Sequence, residues 1–187
     1  MKDTQNNGRV LVSQRTRVVV LSAILIALAI AFQNLRLLIG ASPVSTYLIG
    51  ALVNLCLIVA VAAAGLIPGL AVAALTPLVA LLQGFAQAPM VPWIIAGNAL
   101  LVLIYWLAAR RCPPDGGRTR ARVGWYAGGV LAAAVKYLVI VLGMALMLSG
   151  KKGVPVSGAI LGTAFVQQLQ QPVTALIAMC VAPLVLR

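Results

Sequence analysis

One lysine and a set of amide side chains are the groups in this chain equipped for polar chemistry inside an apolar phase. Lys136 lies near the centre of an apolar run from about Gly124 to Leu148, with Ala132, Ala133, Ala134 and Val135 before it and Leu138, Val139, Ile140 and Val141 after it. The chain has two acids, Asp3 and Asp115, and neither falls in an apolar segment. A cation at membrane depth costs ~2.5–3.5 kcal/mol on insertion scales, so a compensating partner is expected. A substrate carboxylate or phosphate is the functional candidate. Carbonyls, glutamines and trapped water are the structural alternative.

Toward the C-terminus, Thr163, Gln167, Gln170, Gln171 and Thr174 fall at i, i+4, i+7, i+8 and i+11. On a continuous helix these positions share one face. A polar stripe facing lipid is costly, so the stripe is expected to face the protein interior. Gln168 falls off that face. Pro172 is expected to kink the helix and free the carbonyl of Gln168. Glutamines also join helices by hydrogen bonds, but four of them in positions 167–171 beside a proline favour a ligand-lined cavity.

Other polar groups cluster at one level. Asn98 follows Gly97, which allows close backbone approach, and Trp93 begins the same segment, where interfacial anchoring is the plainer role. Gln83 and Gln87 flank a short connection, and Asn34, Arg36, Ser42, Ser45, Thr46 and Tyr47 surround another. Asn54 and Thr76 lie within apolar segments, Asn54 being suited to an interhelix hydrogen bond as well as to a ligand. The candidate substrate-binding set is therefore Lys136, Asn98, Gln167, Gln170, Gln171, Trp93, Gln87, Asn54 and Arg36.

The elements that must position these groups are membrane helices. The chain of 187 residues is 63% hydrophobic and 9% charged, more apolar than a soluble domain can cover. The fold class expected is an all-α integral membrane protein. Apolar spans fall at about 18–39, 47–64, 68–84, 91–110, 124–148 and 158–186, after an N-terminal tail over 1–17 that is polar to about Gln14 and expected to be irregular. Gly65-Leu66-Ile67-Pro68-Gly69 divides a stretch too long for one crossing, and Pro43 interrupts the chain before the second span. With six transmembrane helices, Lys2, Arg9, Arg15, Arg17, Arg110, Arg111, Arg118, Arg120, Arg122 and Arg187 lie on one side. Arg36, Lys151 and Lys152 lie on the other. The positive-inside rule then makes both termini cytoplasmic and places the polar cluster in the outer half, with Lys136 at its floor. Cys112 to Gly117 reads as a flexible cytoplasmic turn.

The net charge of +12 sits between apolar spans and sets orientation, so no nucleic-acid partner is expected. Cys56, Cys112 and Cys180 have no paired spacing, and the chain has no histidine, so they are expected to be unbonded and no metal or other cofactor is expected. The first apolar run is too long for the core of a cleavable signal peptide.

Ala23, Ala27 and Ala31 recur every four residues in the first span and form a smooth stripe that a second helix can approach closely. Together with Leu48-Ile-Gly-Ala-Leu-Val-Asn54, Thr76-Pro77-Leu78, Val91-Pro-Trp-Ile-Ile-Ala-Gly-Asn98 and Ala134-Val-Lys136, in that order, this chain resembles a substrate-binding S component of an energy-coupling factor (ECF) transporter, from about Val18 to the C-terminus. The resemblance implies a six-helix bundle in a prokaryotic plasma membrane. It implies capture of a vitamin-like micronutrient from outside, using helices four to six and the outer loops, and toppling in the membrane to release it. It also implies docking on a transmembrane T subunit with two cytoplasmic ATPases, with Ala23, Ala27 and Ala31 at the T-subunit contact. Thr76-Pro77-Leu78 is taken as a turn in this pattern. No residues single out one vitamin subfamily, so the substrate stays open.

Without histidine or an intramembrane carboxylate, ordinary acid–base or metal catalysis lacks its groups, and a proton-coupled transporter lacks its carrier. No Walker-type glycine loop is present, so ATP hydrolysis is expected in partners rather than here. The remaining alternatives are a small oligomeric transporter and a structural membrane subunit that binds no ligand.

Overall fold

The computed structural model describes residues 3–40, 42–111 and 119–186, with side chains 3–14, 119–121 and 152 left out. The described residues are almost entirely helical and contain no strand. Among the described residues there are seven α-helices: α1 (Asp3–Ile39), α2 (Pro43–Val59), α3 (Leu66–Leu82), α4 (Val91–Arg111), α5 (Thr119–Lys152), α6 (Gly158–Gln167) and α7 (Gln170–Val185). Five stretches are long and apolar enough to cross a membrane: Arg15–Ile39, Pro43–Ala64, Ala88–Arg111, Arg122–Lys151 and Gly158–Val185. The shorter apolar helix α3 has 17 residues, ~25 Å at ~1.5 Å per residue, which makes a sixth crossing possible. The described residues thus contain five to six helices long and apolar enough to span a membrane, the pattern of a multi-pass membrane protein.

Several boundaries differ from expectation for local reasons. Helix α1 extends back to Asp3 through the stretch expected to be an irregular tail; that stretch contains no proline, and an established helix propagates more easily than it nucleates. Pro43 does not interrupt α2 but opens it. Ser42 is the N-cap of a capping box in which Ser45 N donates to Ser42 Oγ at 3.1 Å and Ser42 N to Ser45 Oγ at 2.9 Å. Proline suits the first helical position because its missing N–H would have no helical partner there. At its far end α2 loosens into a π-helical turn, Ala60–Ala64, closed by Gly65 N donating to Ala60 O at 3.1 Å. Gly65 has φ 103°, a left-handed conformation that a side chain resists, and it makes the break between α2 and α3. Thr76-Pro77-Leu78 is not a turn: α3 runs through Pro77 to Leu82.

The helices close into a ring in the spatial order α1, α2, α7, α5, α4, α3 and back to α1, while α6 packs on α5. Small residues permit the tightest approaches. A Cβ on Gly143 would overlap the Trp93 indole, and one on Gly50 would come within 2.9 Å of Thr174 Cγ2. The apolar core, including Leu57, Ile58, Val72, Leu101, Tyr105 and Trp125, lies toward the end of the bundle where α4 finishes in Arg110 and Arg111. Cys56 and Cys180 are free thiols; Cys112 and the segment expected to form a turn, Cys112 to Gly117, lie outside the described residues.

Candidate functional site

The opposite half of the bundle is polar inside, and Pro77 explains part of the arrangement. Proline has no N–H, so the carbonyl of Ala73 loses its partner from position 77 of α3. Asn98 Nδ2, on α4, makes a long contact to that carbonyl at 3.5 Å. Three residues on, Gln33 Nε2 of α1 donates to Thr76 O at 2.8 Å, and Thr76 Oγ1 donates to Val72 O at 2.9 Å. Helix α3 therefore holds one amide from α1 and one from α4 by their nitrogens. The oxygens of the same amides, Asn98 Oδ1 and Gln33 Oε1, are buried without a protein hydrogen bond. Asn98 is 3% exposed and Gln33 9%.

A second chain of bonds crosses between the other helices. Lys136 of α5 is 3% exposed and its Nζ donates to Asn54 Oδ1 of α2 at 2.6 Å. Asn54 Nδ2 donates to Thr174 Oγ1 of α7 at 3.0 Å, and Thr174 Oγ1 donates to Gln171 O at 3.1 Å. The lysine stem lies along Gly97, whose added Cβ would stand 3.3 Å from Lys136 Cγ. Lys136 is midway along α5, about 24 Å from its C-terminal end at ~1.5 Å per residue. A lysine nitrogen offers three donors, and Asn54 takes one.

These groups border a cavity of about 300 Å³. Its deep wall includes Lys136, Asn54, Asn98 and Thr174; Gln168, Gln170 and Gln171 line the α7 side. Toward the chain connections it is lined by Gln33, Arg36, Thr46, Phe85 and Gln87, with Met90 and Met144 as apolar walls. Arg36 donates to Thr46 Oγ1 at 3.3 Å and stacks over the Phe85 ring at 5.1 Å, leaving its buried Nε without a partner. Lys151 Nζ, on the α5–α6 side, reaches Gln87 Oε1 at 3.4 Å. The cavity is at the small end of the range that holds ligands, and it mixes apolar walls with a few convergent polar groups.

Seven of the nine candidate residues border this cavity: Lys136, Asn98, Gln170, Gln171, Gln87, Asn54 and Arg36. Gln167 and Trp93 do not. Trp93 packs on Gly143 instead, and Gln167 is exposed. The expected continuous stripe fails because the sixth span is two helices. Residues Gln168 and Leu169 form a tight turn in which Leu169 N donates to Val166 O at 3.4 Å and Gln171 N to Gln168 O at 2.9 Å. The turn re-phases the helix, so Thr163 and Gln167 face outward while Gln168, expected off the face, borders the cavity. The carbonyl of Gln168 is not free, as Pro172 suggested, because the N–H of Gln171 takes the place of the missing proline N–H.

Gln33, Thr46, Phe85 and the two methionines are cavity residues that sequence reasoning did not select. Gln33 sits four residues before Leu37 at the polar end of the first span and reads like interfacial decoration. Its one sequence signal is its place on the α1 face that carries Ala29 and Leu25, both buried. Comparison with family models, curated proteins and solved structures finds no match for this chain.

Proposed function

We propose that this chain is the ligand-capturing membrane subunit of an uptake transporter of the ECF type, holding a small, partly polar anionic micronutrient in the cavity above Lys136. The observation that carries the reading is a lysine buried at mid-helix, at the base of a polar-lined cavity, with a single neutral protein partner and two donors to spare. An anionic oxygen there would offset the cost of keeping such a side chain at membrane depth. The break between α6 and α7 fits as well, since irregular backbone is tolerated at that depth where it borders a cavity or is buried in protein.

The same reading orients the bundle with both termini in the cytoplasm of a prokaryotic cell and the cavity opening outward. It assigns ATP hydrolysis to two cytoplasmic ATPases joined through a T subunit. Ala23, Ala27 and Ala31 are exposed on α1, which leaves the stripe accessible to a docking partner. Release inward by toppling belongs to the resemblance.

A structural subunit without ligand is the second reading. It is favoured by the Lys136–Asn54–Thr174 chain, which joins α5, α2 and α7 as interhelix bonds do. Thermal shifts of the purified protein against a panel of vitamins, nucleobases, amino acids and tetrapyrroles separate the two. Binding to the native state alone raises stability by RT ln(1 + [L]/Kd). The transport reading predicts a shift that Lys136→Met abolishes in a folded variant; a flat panel favours the structural subunit.

A further inference from the structure

The last span fills its place in the ring after the turn at Gln168 and Leu169 and leaves it before the turn. Helix α7 packs between α2 and α5, with Thr174 against Gly50 and bonded to Asn54. Helix α6 packs on α5 and makes no extended contact with α2. The cavity shows the consequence. Residues of α2 and α5 line it on either side, and Gln168, Gln170 and Gln171 border it at the turn and after it, but no residue of α6 does. Between α5 and the first half of α2 the cavity therefore has no helix to close it.

Little holds α6 where it is. It seats two buried side chains, Ile160 and Ala164, against Val141 and Ala145 of α5. Lipid chains replace apolar contacts of that kind at small cost. Among the described residues, the hydrogen bond that ties α6 to another helix runs from Tyr137 Oη to Phe165 O at 2.8 Å, with the two rings edge to face at 5.4 Å. That carbonyl is available because the turn diverts Leu169 N to Val166 O. Both ends of α6 can pivot. The two-residue turn lies at one end; at the other, Gly153 takes φ 63° with open space around it, and the connection from there to Ser157 is exposed. Length fits as well. Helix α6 has 10 residues, ~15 Å at ~1.5 Å per residue, and the stretch of α2 from Pro43 to its crossing with α7 at Gly50 is ~10 Å. We infer that α6 is a lid. It swings about Gln168 and Leu169 from α5 toward the first half of α2 and covers the open side of the cavity, and the Tyr137–Phe165 bond is the latch of the open position. Gln167, exposed in the structure, travels with it as an amide that the cavity can receive. A lid of this kind serves the cavity whatever ligand it takes, and so goes beyond the ligand-capturing reading.

The test is a distance measurement by double electron–electron resonance on the full-length protein in lipid nanodiscs, with Cys56, Cys112 and Cys180 replaced by alanine. Spin labels at Leu48→Cys on α2 and Leu161→Cys on α6 report the swing. Labels at Leu48→Cys and Ile177→Cys on α7 are the control beyond the hinge. All three positions are exposed. Each pair is measured with Tyr137 intact and in Tyr137→Phe, which keeps the ring and its contact with Phe165 and removes only the hydroxyl. The expected result is a distance matching the structure and a distinctly shorter one for the α2–α6 pair, the shorter one at least twofold more populated in Tyr137→Phe. The α2–α7 pair should keep one distance throughout. Equal α2–α6 distributions in the two proteins would overturn the lid. A second distance shared by the α2–α7 pair would do the same, because the whole span would then be moving. No ligand is needed, so failure here leaves the ligand-capturing reading standing, and a flat thermal-shift panel leaves the lid to be judged by these distances alone.

Discussion

At the residue scale, Lys136 and Asn54 are a pair with unequal consequences. Truncating Asn54 leaves a buried lysine nitrogen without its acceptor, and removing one partner of a charged hydrogen bond costs more than removing both. Asn54→Leu is expected to destabilise the unliganded protein by ~1–3 kcal/mol, read as a lower melting temperature. Lys136→Met removes the group that needs compensation and fills the space with an apolar side chain of similar length. It should leave the melting temperature unchanged or raised, and abolish the response to ligand. A large loss of stability in Lys136→Met, matching that of Asn54→Leu, would make the lysine a structural strut. Lys136 and Asn98 were legible in the sequence because a polar residue in a long apolar run is conspicuous. Gln33 was not, since its significance comes from a carbonyl on α3 that is 43 residues away in the chain.

At the element scale, helices form where composition demands them, and their interruptions follow identifiable residues. Six apolar segments and the break at Gly65 could be read from the sequence, because apolar length and a glycine–proline cluster are local signals. The division of the last span could not. The polar stripe holds only on an uninterrupted helix, and the two-residue turn at Gln168 and Leu169 shifts the phase of everything before it. Pro172 announced a disturbance, but the turn lies upstream, where the proline's missing N–H is felt. Close helix approach also depends on single residues. Gly143→Ala would set a methyl group into the Trp93 indole where α4 crosses α5. Overpacking of that kind is expected to cost about 1–3 kcal/mol, and the same substitution at Gly162, which has open space around it, should be close to neutral. Equal melting temperatures for the two variants would show that α4 and α5 can part there without cost.

At the scale of the whole molecule, the ring of helices separates two halves: an apolar core toward the Arg110 end and a polar cavity toward the α1–α2, α3–α4 and α5–α6 connections. The exposed face of α1 with Ala23, Ala27 and Ala31 lies outside that ring, so a change there should not reach the cavity. If the stripe docks a T subunit, Ala27→Leu will prevent co-purification with that subunit while the solitary protein keeps its ligand response. Unchanged co-purification would remove the stripe from the interface. The membrane class, the helix count to within one, and seven of the nine cavity candidates could be read from the sequence. Which helices adjoin, and therefore which amide oxygens remain free, is a property of the closed ring and of no single segment.

Whether Lys136 holds an anionic ligand is measured most directly by the thermal shift of wild-type protein and Lys136→Met side by side across the broad panel. At a ligand concentration ~100 times Kd, the native state gains about 2.7 kcal/mol, enough to move a melting curve by several degrees. At least one anionic compound is expected to stabilise the wild type to this extent and to leave a folded Lys136→Met unmoved. An equal shift in both proteins, or no shift in either, would contradict it.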